Sequence, residues 1–181
     1  MDERKNEAII RTFKQVGIHF REAFQEMVPN GTAELIIKKE TPESDDYSGI
    51  GIRVQFNNTN EALRMNQLSG GQKAIVALAL IFAIQRADPA PFYLLDEVDA
   101  ELDMQYRQMV AQLIKKQAEQ QGEQCQLFCT TFKPEIVEVA THFYRITLRN
   151  EASRIEKTTR EEALEFVQSR QPPSTNHDGK G

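Results

Sequence analysis

Two short motifs in this chain combine residue types and spacing that suit nucleotide chemistry. The segment Leu68–Lys73 (LSGGQK) is a Ser-Gly-Gly turn that precedes a long apolar stretch. A helix that begins there would direct backbone N–H groups and the positive end of its dipole at a phosphate. The segment Phe92–Glu97 (FYLLDE) is an apolar run that ends in two adjacent carboxylates. One such carboxylate can organise a Mg²⁺ ion while its neighbour takes a proton from an attacking water, so the two motifs together indicate an ATPase.

The loop that would complete a nucleotide site is missing from the sequence. No segment matches G-x-x-x-x-G-K-[ST], the pattern whose backbone wraps the α- and β-phosphates. These residues alone therefore cannot complete a site for ATP. We expect the chain in isolation to be inactive as an ATPase.

The two motifs resemble known parts of one class of ATPase. Leu68–Lys73 resembles the signature motif of ABC-type ATPases, Phe92–Glu97 resembles their Walker B strand, and Asp99–Asp103 (DAELD) is similar to the D-loop. Transporter ATPases usually follow the two carboxylates with proline. This chain has Val98 there, which resembles the structural maintenance of chromosomes (SMC) family.

Three further segments are similar to the cohesin branch of this family, namely Gly49–Val54, Asp88–Tyr93 and Thr130–Glu135. The whole resemblance covers residues 5 to 168. It implies an α/β fold, the C-terminal lobe of an ABC-type P-loop ATPase head, with a central sheet, flanking helices and a protruding N-terminal neck helix. The implied boundaries are a coiled-coil neck at 1–28, the head lobe at 29–168 and a disordered tail at 169–181.

The resemblance also implies roles for individual residues. Asp96 would orient Mg²⁺ through a water, and Glu97 would act as the general base. Thr131 matches the position of a switch histidine, but a hydroxyl cannot carry the charge of imidazolium. Glu101 stands where the family usually has a small residue, and we expect it to point to solvent. The residues expected at a nucleotide held by a partner head, or between the heads, are Leu68, Ser69, Gly70, Gly71, Gln72, Lys73, Asp99 and Asp103.

The cofactors that the resemblance implies are ATP and Mg²⁺, and the implied partners are chromosomal. They are the N-terminal lobe of the same SMC protein, a partner SMC head (in cohesin, the first SMC subunit), the N-terminal domain of a kleisin at the neck helix Ile9–Met27, and DNA in the assembled complex. The implied location is the nucleus, on chromosomes. Two alternatives stay open: a module that mainly docks a kleisin, and the head of a related SMC-like ATPase of DNA repair.

Length and composition limit the other function classes. A chain of 181 residues suggests one domain with one core. Its net charge of −5 gives no general basic footprint for nucleic acid, so DNA contact would need a local patch. No stretch approaches the roughly 20 apolar residues of a membrane span, and no signal peptide opens the chain. We expect an intracellular, soluble protein with no membrane partner.

Apolar spacing predicts the elements that must position the motifs. Ile9–Met27 carries apolar residues at three- and four-residue steps, which predicts a helix that ends at Pro29-Asn30-Gly31. This helix could pack on its own core or form the base of a coiled coil. Alternation predicts two strands, Ala33–Ile37 and Ile50–Phe56, with a hairpin loop at 41–48. The remaining prediction is an alternating α/β order of four helices and three strands. The helices are Gln72–Arg86, Met104–Gln121, Pro134–Ala140 and Arg160–Gln168, and the strands are Phe92–Glu97, Gln126–Thr131 and Phe143–Leu148.

The cysteines and histidines give no sign of a metal site. Cys125 and Cys129 would lie about 13 Å apart along a strand, too far for a disulfide. They also lack further Cys or His neighbours in the sequence, so we expect free thiols. His19, His142 and His177 form no constellation, and we expect them to be structural or solvated.

Overall fold

The first helix, α1 (Glu3–Met27), is built into the core at one end and is exposed along the rest. In the computed structural model, which describes residues 3–39, 41, 47–56, 61–122 and 125–170, its last two turns bury Phe20, Phe24 and Met27 completely. These residues lie three or four positions apart and so share one face of the helix. Ile10 and Ile18 stay exposed earlier along it. The predicted helix is confirmed; it packs on its own core and also extends beyond it.

A small antiparallel sheet covers the buried end of α1. It consists of β1 (Thr32–Lys39), β2 (Tyr47–Gln55) and β3 (Leu63–Arg64), with Ala33 opposite Val54. The two predicted strands are confirmed. Most of the predicted loop at 41–48 lies outside the described residues, and β2 already begins at Tyr47.

The signature-like segment leads into a helix that is buried on several sides. After a 3₁₀ turn at Met65–Gln67, α2 runs over Gly70–Ala87, slightly longer than predicted. It packs against α1 and buries Ile75, Val76 and Phe82. Near its C-terminal end, Arg86 is bonded to Glu26 of α1 at 3.3 Å and to Gln117 at 3.1 Å. The helix is thereby fixed to two other elements.

The carboxylate-bearing strand pairs with the strand that follows it. β4 (Phe92–Asp96), α3 (Met104–Gln121) and β5 (Gln126–Thr130) form a parallel crossover unit, with Phe92 opposite Gln126 and Asp96 opposite Thr130. The predicted bounds of α3 are confirmed. Asp103 caps its N-terminus, and Gly122 follows its last residue with a φ of 53°.

The last part of the fold differs from the alternating pattern that we predicted. α4 (Pro134–Val139) and α5 (Arg160–Ser169) are close to prediction, but β6 (Phe143–Arg149) pairs antiparallel with a strand that we missed, β7 (Ala152–Thr158). β7 contains a single large apolar residue, Ile155, so its sequence lacks the alternation of a half-buried strand. The turn between the strands uses left-handed Asn150 (φ 51°) and Glu151 (φ 61°), as in a type I′ hairpin.

The mixed α/β fold is confirmed, but the single central sheet is not. The described residues form three separate sheets, β1-β2-β3, β4-β5 and β6-β7. A parallel sheet is usually covered on both faces by neighbouring elements, and two parallel strands make only a fragment of one. Ser169 belongs to α5, and 171–181, where we expected a disordered tail, lie outside the described residues. None of the described helices is both long and apolar enough to cross a membrane.

We predict that Gly31→Ala lowers the free energy of unfolding by about 1–3 kcal/mol, because the added methyl overpacks the core. A Cβ at Gly31 would lie 2.8 Å from Phe24 Cε1, 2.8 Å from Val28 Cγ1 and 3.0 Å from the carbonyl oxygen of Gln55. The matched control is Gly17→Ala on α1, where the methyl meets nothing within 4 Å among the described residues. That change should stabilise the protein by about 0.5–1 kcal/mol. Equilibrium urea unfolding measures both, and equal effects would contradict the packing argument.

Candidate functional site

The two adjacent carboxylates stand at the carboxyl end of β4 and are tied to β5. Asp96 Oδ1 accepts a 2.5 Å hydrogen bond from Thr130 Oγ1, and both side chains are exposed. Glu97 follows in a turn with a left-handed φ of 47°. Its N–H bonds to the carbonyl oxygen and to Oγ1 of Thr130, each at 3.1 Å. Because a left-handed glutamate is uncommon, these bonds hold a conformation that the residue would not otherwise prefer.

Asp99 points inward rather than toward a partner. Its side chain is buried, at 1% exposure, and Oδ2 accepts a 2.5 Å bond from Thr131 Oγ1. Thr131 Oγ1 in turn accepts from the Lys133 N–H at 2.9 Å. In this chain Asp99 thus has an intramolecular partner, and its expected role between heads stays a prediction. The hydroxyl of Thr131, expected at the γ-phosphate or the water, is committed to Asp99.

The buried charge of Asp99 affects a neighbouring thiol. Burial, and secondarily the negative charge of Asp99, raise the pKa of Cys129 to about 11. The thiol therefore stays protonated at neutral pH and is a poor nucleophile. Cys125 is also free and buried, with a pKa raised by burial. Free thiols are confirmed.

The signature-like segment forms the N-terminus of α2. Ser69 Oγ accepts from the Gln72 N–H at 3.3 Å, and Gln72 Oε1 accepts from the Ser69 N–H at 3.0 Å. This reciprocal capping box satisfies the N–H groups of Ser69 and Gln72, while those of Gly70 and Gly71 lie in the first turn and have no intrahelical acceptors. A Cβ at Gly70 would meet nothing within 4 Å among the described residues, and one at Gly71 would lie 3.6 Å from the Glu101 carbonyl oxygen. An anion can therefore approach the helix end from outside this chain.

The other predicted site residues divide between surface and core. Lys73, Glu101 and Asp103 are exposed, and Asp103 also caps α3 through the Tyr106 N–H at 3.1 Å. Leu68 is 5% exposed and belongs to the hydrophobic core, and its expected place near the nucleotide stays a prediction.

Asp96 and Glu97 suit a Mg²⁺ ion that binds together with a phosphate, and not a metal ion held by protein side chains alone. Within the described ranges no three His, Cys, Asp or Glu side chains cluster as metal ligands. Mg²⁺ is commonly held by one or two carboxylates together with substrate phosphates and waters. Asp96 and Glu97, both exposed at one strand end, provide that share. His19 bonds Glu22 and His142 bonds Thr141, while His177 lies outside the described residues.

The face of the β4–β5 sheet that carries Asp96 is apolar and exposed. Phe92 and Leu94 share this face, since side chains two positions apart point the same way, and Phe128 lies opposite Leu94. Their exposed fractions are 55%, 71% and 49%. The opposite face packs Leu95 into the core. Sequence reasoning missed this asymmetry, because a continuous apolar run predicts burial on both faces.

A second apolar face is exposed on the β6–β7 hairpin. Ile146 and Ile155 are directly opposite each other and about two-thirds exposed, and Tyr144 and Leu148 flank Ile146 on the same face. Exposed apolar sheet faces of this kind are typical of surfaces that another domain or protein covers.

Comparison with known proteins identifies the relatives of this fold and site. A family model described as the RecF/RecN/SMC N terminal domain matches residues 4–154. The chain belongs to the SMC family. It is 47% identical to the chromosome segregation protein sudA of Emericella nidulans and 44% identical to the structural maintenance of chromosomes protein 3 of Arabidopsis thaliana. The matches cover 93% and 97% of this chain but only 15% and 16% of those proteins.

Solved SMC heads have the same fold. One, from work described as the structural biochemistry of ATP-driven dimerization and DNA stimulated activation of SMC ATPases, is 32% identical with a TM-score of 0.79, and the match covers 91% of this chain and 96% of that one. An Smc head domain with an extended coiled coil, bound to the C-terminal domain of ScpA and derived from Pyrococcus furiosus, is 32% identical with a TM-score of 0.73, over 93% of this chain and 40% of that chain.

One expectation is at variance with these matches. The motifs led us to expect a C-terminal lobe, whereas the matched family model is described as an N-terminal domain. The C-terminal position in the full-length protein therefore has no support from the comparison.

We predict that Thr131→Val lowers the free energy of unfolding by about 1–3 kcal/mol, because the buried Asp99 carboxylate loses its hydroxyl donor. The matched control is Thr130→Val, which removes the same hydroxyl from an exposed bond to Asp96. That change should cost less than about 1 kcal/mol, since water replaces the lost donor. Urea unfolding of the two variants compares them, and a larger loss in Thr130→Val would contradict the structural role of Asp99.

Proposed function

We propose that this chain is the lobe of an SMC ATPase head that provides the signature motif, the Walker B carboxylates and the D-loop for ATP hydrolysis. The observation that carries the proposal is the position of Asp96 on the exposed apolar face of β4–β5, beside Phe92 and Leu94. The exposed apolar face of β4–β5, which suits a covering element, therefore also bears the Asp96 carboxylate that would meet Mg²⁺ and phosphate. Covering this face and completing the site are then one event.

The covering element in this proposal is the lobe of the same protein that carries the phosphate loop. The sequence contains no such loop, and the two-stranded parallel β4–β5 sheet is a fragment of a larger one. Strands from a second lobe would extend the sheet at its edges, other elements of that lobe would cover the face that carries Leu94 and Phe128, and the nucleotide would be brought to Asp96. The chain alone would neither bind ATP tightly nor hydrolyse it.

In the assembled site, the residues of this chain act as follows. Glu97 takes a proton from the water that attacks the γ-phosphate, and its turn is held by the two bonds to Thr130. Asp96, oriented by the Thr130 hydroxyl, would hold Mg²⁺, and the ion would supply positive charge to the phosphate oxygens. Neither role requires the Thr131 hydroxyl, which is bound to Asp99.

The signature motif serves a different nucleotide from the Walker B strand in this proposal. The N-terminus of α2, with Ser69, Gly70 and Gly71, opens outward and suits the γ-phosphate of ATP bound by a partner head. Two heads would then enclose two nucleotides. The solved relative described with ATP-driven dimerization supports this arrangement.

Within the family, we assign the chain to the cohesin-type third SMC subunit, with a role in chromosome cohesion and DNA entrapment in the nucleus. The 44% identity to that subunit of Arabidopsis thaliana supports this assignment over a DNA-repair relative. The partner head would be the first cohesin SMC subunit, and DNA would bind the assembled complex. Because the chain spans 16% of that relative, these partners belong to the whole protein.

A kleisin-docking role has separate support. α1 leaves Ile10 and Ile18 exposed, so its outer part has an apolar surface for a partner helix. The head from Pyrococcus furiosus described as bound to ScpA supports a kleisin-type partner. That description names the C-terminal domain of ScpA, so it does not support the N-terminal kleisin domain that we expected at Ile9–Met27.

The proposed function is tested by measuring ATP turnover and ATP binding of the Glu97→Gln variant of the full-length protein in complex with its partner head. We predict that ATP turnover falls by about 10²–10⁴-fold while ATP binding persists, because the amide keeps the shape but is a poor base. Glu101→Gln, which removes the same charge from an exposed position on the same loop, is the control and should keep near-normal turnover. Turnover rates and equilibrium ATP binding are measured together. Normal turnover in Glu97→Gln would refute its role as the base.

A further inference from the structure

The loop Glu97–Asp103 begins at the proposed general base. Its first half is held to the segment that follows β5. The tie is the buried bond from Thr131 to Asp99, and Thr131 in turn accepts the Lys133 N–H just before α4. Within the loop, the Ala100 N–H bonds the Glu97 carbonyl oxygen at 3.0 Å. The front of the loop and the start of α4 are thus joined through one threonine.

A second tie holds the rear of the same loop. Arg107, in the first turns of α3, donates from one terminal nitrogen to the Leu102 carbonyl oxygen at 2.8 Å. Its Nε donates to Glu135 Oε1 of α4 at 2.9 Å. The guanidinium fork therefore bridges the loop to α4, and its planar geometry fixes both bonds at once.

The second tie is buried, so its groups depend on each other. The side chains of Arg107 and Glu135 are 17% and 7% exposed. The second oxygen of Glu135, Oε2, is buried and has no donor within the described part of the chain. Loss of the arginine would leave a buried carboxylate unpaired and release the Leu102 carbonyl. The buried Glu135 carboxylate therefore destabilises the fold unless it is paired with Arg107.

We propose that Arg107 is a positioning residue for ATP hydrolysis: together with Glu135 it clamps Leu102, so that the loop bearing Glu97 moves as one unit with the segment 131–135. The inference rests on the proposed ATPase function, because Glu97 is the group being positioned. Both ties run to the same segment, one at each end of the loop. A shift of the loop by a partner head would therefore be transmitted to Thr131 and α4.

Hydrogen–deuterium exchange of the full-length protein in complex with its partner head tests the clamp. In Arg107→Met, amides in 97–103 should exchange roughly 10- to 100-fold faster than in the wild type, because a charge-assisted bond is lost. Arg86→Met is the matched control: Arg86 is similarly buried, at 13% exposure, and similarly ion-paired, but to Glu26 of α1. It should leave exchange in 97–103 unchanged.

Kinetics distinguish positioning from simple destabilisation. Arg107→Met should lower kcat roughly 10- to 100-fold, since a misplaced base loses alignment, with KM for ATP unchanged. Arg107→Lys can reach only one of its two acceptors, so its kcat and loop exchange should be intermediate; it also serves if the Met variant fails to fold. Unchanged loop exchange in Arg107→Met, or faster exchange with normal kcat, would overturn the proposal.

The two proposals fail in different ways. If the wild-type assembly does not hydrolyse ATP, the proposed function fails, whatever the exchange data show, and with it the catalytic role of the clamp. If the wild type hydrolyses ATP and both Arg107 variants match it in kcat and in exchange of 97–103, the clamp alone is refuted.

Discussion

The parallel register of β4 and β5 is the constraint on which the site depends. It puts Asp96 opposite Thr130, so that one threonine orients the carboxylate and fixes the turn of Glu97. The next threonine, Thr131, binds Asp99 inside the protein. A shift of one residue in this pairing would exchange the two threonines between surface and core, because side chains alternate along a strand. The carboxylates of Asp96 and Asp99 would then lose their hydroxyl donors.

The same two strands explain why the chain is half of a site. Asp96 lies on a face whose other members, Phe92, Leu94 and Phe128, are apolar and exposed. Burying such a face is favourable at about 25 cal/mol per Å² of apolar surface. In the proposed assembly, the element that covers this face also carries the phosphate loop that the sequence lacks. In this account, lobe assembly is driven by the hydrophobic effect, and the catalytic site is completed as a consequence.

Local signals in the sequence predicted much of the fold, and tertiary relations account for the rest. The bounds of α3 were predictable because Asp103 and Gly122 are its caps, and β4 was predictable from its apolar run. β7 was missed because its hairpin depends on the Asn150-Glu151 turn and not on an apolar pattern. The burial of Asp99 and Leu68 could not be read from motif position, since motif membership does not tell which way a side chain points. The separation of the strands into three sheets likewise depends on which strands pair, and a pattern within one strand does not tell its neighbour.

We propose that the signature motif of this chain acts on a nucleotide held by another head, and the variant Ser69→Arg in the full-length protein is the test. The arginine adds bulk at the outward-facing end of α2, whereas Ser69→Ala removes only the capping hydroxyl and controls for that loss, worth about 0.5–2 kcal/mol. Equilibrium ATP binding by the mutant protein is compared with its ATPase rate beside the partner head. We expect the Ser69→Arg protein to bind ATP as well as the Ser69→Ala protein does but to fail to support hydrolysis. Loss of ATP binding by Ser69→Arg without its partner would place Ser69 in its own nucleotide pocket and contradict the account.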